Sequence, residues 1–254
     1  GIDLLPYSTF IAETLLLPIT DDERRIIWEI GLEIYDELRE KIYKIKDPLS
    51  NDEVIILEER YFGNDPNPLS REWKIVAVKV IHSNGKKKWY IIKQNEYIRK
   101  LHLDKKTKKF EVSEEVLDDF SSFNFNYPSA EFLNWVLLEN TRIRIYKGMQ
   151  IKHLFTPRNA LAIRFIREKI ESYSGVIGRV LLGALGATIH LAKITDYKRH
   201  SAQSWYIPME DAVSLNVAEK FLQKLDELLK ALESIQKYWI NLGWDLSNKD
   251  FNAK

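Results

Sequence analysis

Leu154-Phe155-Thr156-Pro157-Arg158-Asn159-Ala160-Leu161-Ala162 is the stretch at which the chain turns almost wholly helical. Thr156 is a good N-cap. Pro157 suits the first helical position, where its missing N–H would lack a partner anyway. Leu161, Ile163, Phe165 and Ile166 then begin an apolar face. From here the pattern predicts helices over about 157–173, 175–194 and 210–241, with a polar, aromatic loop, 195–208, before the last.

Upstream the period changes. Thr20-Asp21-Asp22-Glu23 opens a helix of about seven turns, with apolar positions Ile26, Ile27, Ile30, Ile34, Leu38, Ile42 and Ile45. Pro48 and Asn51 break it. Val54–Tyr61 reads as a strand. Trp73–His82 and Lys88–Gln94 flank Ser83-Asn84-Gly85, a strong hairpin pattern. A second hairpin is expected from Tyr97–Leu103 and Phe110–Val112. Ser113–Phe120 and Ala130–Asn140 read as short helices, and Arg142–Tyr146 as extended. The expected class is α+β: a β-hairpin module inserted between helical segments, with a helical C-terminal half. Three units are expected: 1–51, 52–150 and 151–254.

Composition narrows the function. The 254 residues are 45% hydrophobic and 30% charged, which suits a folded protein with an ample core. A net charge of +1 means that any nucleic-acid surface is a local patch. Without cysteine there is neither a disulfide nor a thiolate metal site. The histidines, His82, His102, His153, His190 and His200, show no metal spacing. A cysteine-free, Lys/Glu/Ile/Tyr-rich chain fits a thermophilic, cytoplasmic protein. No apolar run reaches the length of a membrane span: Val176–Ile194 comes closest, but Arg179, His190 and Lys193 interrupt it. The start has no initiating Met and no basic segment of a signal peptide, as in a chain that has been cut. Gly175, Gly178, Gly183 and Gly186 are read as close packing against another helix.

Three blocks carry a resemblance. They are Gly1-Ile2-Asp3-Leu4-Leu5-Pro6, then Leu154–Ala162, then Trp205-Tyr206-Ile207-Pro208 followed by Asn216 and a long helix. In this order they resemble the interior of the large adenine-specific DNA methylases that use S-adenosylmethionine (SAM) and often carry a zinc ribbon. The resemblance implies that Asp3 accepts hydrogen bonds from the ribose hydroxyls of SAM. Leu5 departs from the family's Asn. The chain lacks the Gly-rich turn, the Asp/Asn-Pro-Pro-Tyr motif that holds a flipped base, and the zinc cysteines. It is therefore expected to be inactive alone and not to bind SAM tightly. It would be the target-recognition portion of a restriction-modification type methylase. Its expected partners are double-stranded DNA and the remaining methylase segments or subunit.

Within that reading, Lys198 and Arg199 would pair with phosphates. Gln203 and Ser204 would address base edges, and Trp205 and Tyr206 would stack on an unpaired base. The same stretch also fits an ordinary polar loop between helices. Arg158 and Asn159, at a helix N-terminus, would touch a phosphate or else cap and dock inside the fold. Lys86, Lys87 and Lys88 and Lys105, Lys106, Lys108 and Lys109 mark two hairpin tips, fit to straddle a phosphate backbone or to guard a sheet edge. A different class of function is a protein-interaction module using the stripe Val213, Val217, Phe221, Leu225, Leu228, Leu232, Ile235 and Trp239. That stripe equally fits packing against the helix at 175–194.

Overall fold

The computed structural model describes residues 10, 13–63, 69, 73–92, 112–118, 123, 136–139, 145–195, 208 and 211–243. Helix α1, Asp21–Leu38, starts on the expected capping box: the Thr20 hydroxyl accepts from the Glu23 N–H, and Glu23 accepts from the Thr20 N–H. It does not run to Ile45. Its last turn widens into a π-helical turn, Arg39–Tyr43, which buries Ile42 and Tyr43 together. Lys44–Lys46 then leaves as strand β1. Sheet pairing with Glu53–Ile55 outweighs the continuing helical spacing of the isoleucines.

Strands β2 (Glu53–Gly63), β3 (Trp73–His82) and β4 (Lys87–Ile92) form an antiparallel meander. The turn between β3 and β4 is the expected one, with Gly85 at φ 79°. Strand β5, Val112–Leu117, runs parallel to β4 and replaces the short helix expected over Ser113–Phe120. Strand β6, Asp211–Leu215, pairs with β2 and replaces the expected first turn of the last helix. The sheet thus has order β1-β2-β3-β4-β5, with β6 also on β2. β1 and β6 share one edge of β2, end to end, because β3 occupies the other. The second expected hairpin lies outside the described residues apart from Val112. So does most of 130–140, where Val136 makes an antiparallel bridge to Gln150.

Helices α2 (Pro157–Ile170), α3 (Gly175–Ala192) and α4 (Val217–Asn241) complete the fold. Val54, Ile56, Val78, Val80 and Tyr90 of the sheet share one buried cluster with Ile27 and Ile34 of α1, Ile166 of α2, Leu181 of α3 and Phe221 and Leu225 of α4. The three segments set apart in sequence therefore contribute to a single core. Trp89 and Ile91 alternate with Tyr90 and join a separate small cluster with Val76 and Ala77. There Trp89 lies between Arg60 and Lys79, whose cationic groups are 4.9 and 5.5 Å from its ring centroid.

The stripe on α4 is core. Val217, Phe221, Leu225 and Leu232 are inaccessible, and α4 packs along α3 and α1. An added Cβ on Gly183 would lie 3.2 Å from Thr14 and 3.3 Å from Leu228, and one on Gly178 would lie 2.4 Å from the Tyr173 carbonyl oxygen. Close approach explains these two glycines. Gly175 has open space and instead starts α3 at φ 62°. Against the expectation that no run reaches the length of a membrane span, α3 is long and apolar enough to cross one by length and composition; 39% of that span is buried, where it packs against α4, α2 and α1.

Candidate nucleic-acid interface

The block that opens the helical half is the knot of the structure. Thr156 caps α2 as expected: its hydroxyl accepts from the Asn159 N–H at 3.3 Å. The same hydroxyl meets the Ser214 hydroxyl of β6 at 3.1 Å. Asn159 is fully buried and uses its whole carboxamide. Its Nδ2 donates to the carbonyls of Ala192 at 2.8 Å and Leu215 at 3.0 Å. Its Oδ1 accepts from the Tyr43 hydroxyl at 2.8 Å. That phenol also accepts from the Val217 N–H at 3.0 Å. Burial pushes the Tyr43 phenol well above its ordinary range, so it stays protonated and can donate.

Arg158 points the other way, into the sheet. Its Nε donates to Glu59 at 3.1 Å, one Nη to the Ile42 carbonyl, and the other to the Phe123 carbonyl at 3.1 Å. Only 2% of Arg158 is exposed, and 2% of Glu59. A β-bulge brings Glu59 inward. The register steps from Ile56↔Val80 to Glu58↔Lys79, so Leu57 is the extra residue. Beyond it Glu59 pairs with Val78 on the helix side, while Glu58 and Arg60 pair with each other at 2.9 Å on the far side. Tyr61 donates to Glu59 at 2.9 Å; its own burial, and then that carboxylate's charge, raise its pKa well above the ordinary value.

Arg158 and Asn159 thus have no surface to present to DNA. The capping and docking role is the one their bonds describe. Glu59 and Tyr61, which complete the cluster with Tyr43, were not singled out in the sequence. Three consecutive charged residues, Glu58-Glu59-Arg60, inside an apolar strand were the available pointer, since such a run places at least one charge on a buried face.

Lys198, Arg199, Gln203, Ser204, Trp205 and Tyr206 lie outside the described residues, as does Asp3. The two feet of their loop are described. Thr195 and Val213 exchange both backbone hydrogen bonds, at 3.0 and 2.6 Å. Lys193, Ile194, Thr195, Ala212, Val213 and Ser214 are all buried. The Ile194 N–H also donates to the Leu154 carbonyl at 2.8 Å. On the return side, Asn216 fills the gap between β1 and β6. Its N–H donates to the Leu57 carbonyl at 3.1 Å and its Nδ2 to the Ile56 carbonyl at 2.6 Å, while its Oδ1 caps α4 through the Glu219 N–H at 3.2 Å.

Of the lysine-rich hairpin tips, 83–88 is described and 104–109 is not. Ser83, Asn84, Gly85 and Lys86 are exposed; Lys88 is turned along the sheet toward Glu115 at 3.4 Å and over the Tyr90 ring. Among the described residues no group of three His, Asp or Glu is placed to hold a metal ion. An apolar groove of about 1890 Å³ lies between α2, α3 and residues of 136–139 and 145–155. Ile145, Phe155, Leu182 and Ile189 line it, and its rim cations Arg167 and Arg179 pair with Glu171 at 3.0 Å and Glu13 at 3.5 Å. Its chemistry does not suit a phosphate backbone. Compared with family models, curated proteins and solved structures, the chain matches none.

Proposed function

We propose that this chain is the DNA-contacting, target-recognition portion of a cytoplasmic, SAM-dependent adenine-specific DNA methylase. The observation that supports the reading is that the second resembling block meets the segment that leads into Asn216, the residue that follows the third block in sequence. Asn159 of the second bonds the Leu215 carbonyl, immediately before Asn216, and Tyr43 ties Asn159 to the first turn of α4. The sequence that leads into and begins the third block carries Lys198, Arg199, Gln203, Ser204, Trp205 and Tyr206. Its residue types suit phosphate pairing, base-edge contact and stacking. SAM belongs to the complete enzyme, with Asp3 as its ribose contact.

The test is duplex binding by fluorescence anisotropy over a salt series. The wild type should bind more weakly as salt rises, and K198A/R199A should lower both the affinity and the slope of log K against log[salt], the slope by about 0.9 for each phosphate contact removed. Absence of binding at low salt refutes the DNA role. Measurable methyl transfer by the 254 residues alone refutes the assignment as a non-catalytic portion.

A further inference from the structure

The π-helical turn Arg39–Tyr43 buries Ile42 and Tyr43 and leaves Arg39, Glu40 and Lys44 on the wall of a cavity of about 290 Å³. Turns of this kind recur at functional sites. Lys44, Ile55 and Ile81 are paired across β1, β2 and β3, so they form one row on one face of the sheet, and all three line the cavity. Most of its charges are matched. Lys44 lies between Glu40 at 2.8 Å and Glu53 at 2.5 Å, and Lys46 is 3.7 Å from Glu53. Arg39 is the exception. Among the described residues its side chain makes no hydrogen bond and no ion pair, and its Nε–H is buried without an acceptor. A buried donor without an acceptor is rare in folded proteins. The guanidinium lies 5.1 Å from the centroid of the Tyr35 ring, which is itself fixed by donating its hydroxyl to Glu219 at 2.9 Å. Asp36 lines the same cavity three residues earlier on α1, is exposed, and also forms no ion pair among the described residues.

From this geometry we infer that the cavity binds a free α-amino acid with a branched apolar side chain. The α-carboxylate accepts from the Arg39 guanidinium, whose planar fork suits two oxygens. The α-ammonium faces Asp36, and the side chain lies on Ile55 and Ile81. Size selects the ligand: at about 30 Å³ for each water-sized atom, the cavity holds roughly ten non-hydrogen atoms. That is the size of leucine and less than half that of a nucleotide. Charge selects it too. A zwitterion brings one charge of each sign to the two unpaired groups and leaves Lys44 with its carboxylates. A phosphate would meet Asp36 and the negative end of α1, and a bare amine would meet Arg39. The cavity shares no residue with the DNA-contacting set, so either assignment can fail without the other.

The buried Arg39 Nε–H is the reporter, followed in a proton–nitrogen correlation spectrum of the whole chain; Arg39→Lys identifies its peak by removing it. The chain is titrated with L-leucine, with isocaproate, which lacks the amine, with isoamylamine, which lacks the carboxylate, and with inorganic phosphate. Leucine should move the peak to saturation. Each single-charge analogue should bind about tenfold more weakly, because it leaves one charge of the cavity facing the ligand unpaired. Asp36→Asn should weaken leucine about tenfold and strengthen isocaproate. In calorimetry, which needs no peak, Arg39→Lys should bind leucine at least about tenfold more weakly, since lysine keeps the charge and loses the fork. Circular dichroism checks that each variant is folded. If Arg39→Lys fails to fold, Asp36→Asn, at an exposed position, decides alone. A peak that leucine does not move, isocaproate binding as tightly as leucine, or movement with phosphate but not leucine overturns the proposal.

Discussion

Replacing Arg158 by methionine tests the account of the buried cluster. Methionine preserves much of the aliphatic volume and removes every donor. Glu59 would be left with a buried negative charge and the Tyr61 hydroxyl, and the Ile42 and Phe123 carbonyls would each lose a donor. Removing one partner of a buried ion pair costs about 3–5 kcal/mol. The bared carbonyls push the expected value to the upper part of that range, since an unsatisfied buried acceptor costs about 1–3 kcal/mol and such effects are not additive. For a chain of this size each kcal/mol lowers the melting temperature by about 2–4 °C, so Arg158→Met should melt at least about 8 °C lower. The assay is urea unfolding followed by circular dichroism and tryptophan fluorescence, with coincidence of the two transitions as the check on two-state behaviour. Glu59→Met and the double variant complete a cycle. In the double variant the stranded charge is gone, so it should be more stable than the sum of the singles predicts by about 2–3 kcal/mol. A loss below about 1 kcal/mol in Arg158→Met, or strict additivity, would refute the reasoning, because either result means that Glu59 does not depend on Arg158.

Gly178→Ala places a methyl group 2.4 Å from the Tyr173 carbonyl oxygen. It should destabilise the protein by about 1–3 kcal/mol, visible as a lower melting temperature, although alanine is the better helix former. Two histidines, His153 and His190, contribute to the acid response, both with pKa values lowered first by burial. At His153, burial and then the Lys152 charge lower the pKa below the ordinary 6.5, while the neutral Nδ1 accepts from the Gln150 N–H at 2.9 Å. The unfolded chain takes up this proton first. Its contribution to stability is therefore complete above pH 6.5 and lost as pH falls through the lowered folded value. His153→Gln should flatten that part of the pH dependence of the melting temperature, and an unchanged slope would show that another group is responsible.

Much of the local structure is legible residue by residue. Thr20 with Glu23, and Thr156 with Pro157, are short-range patterns whose hydrogen bonds close within four residues, so they appear in the structure as read. The Asn84-Gly85 turn is of the same kind. Asn216 with Glu219 carries a similar cap pattern, and attention to it would have started the last helix at Val217 rather than five or more residues earlier. Errors cluster where a distant strand competes with local preference. Ile45, Ser113–Leu117 and Asp211–Leu215 all sit in segments that permit a helix, and each is drawn out by a partner edge on β2 or β4.

The sequence by itself determined the α+β class, the caps, the central hairpin and the apolar faces of the helices, because these depend on residues a few positions apart. It could name Arg158 and Asn159 but not choose between a phosphate and the interior. That choice belonged to tertiary structure. A bulge at Leu57 turns Glu59 toward a helix that starts about a hundred residues later, and α3 and β6 bring the Ala192 and Leu215 carbonyls to one amide. A charge and a carboxamide at the start of a helix find whichever partners packing delivers. Here it delivered a buried carboxylate and backbone carbonyls, so the polar atoms of both side chains are used inside the fold, where water is excluded.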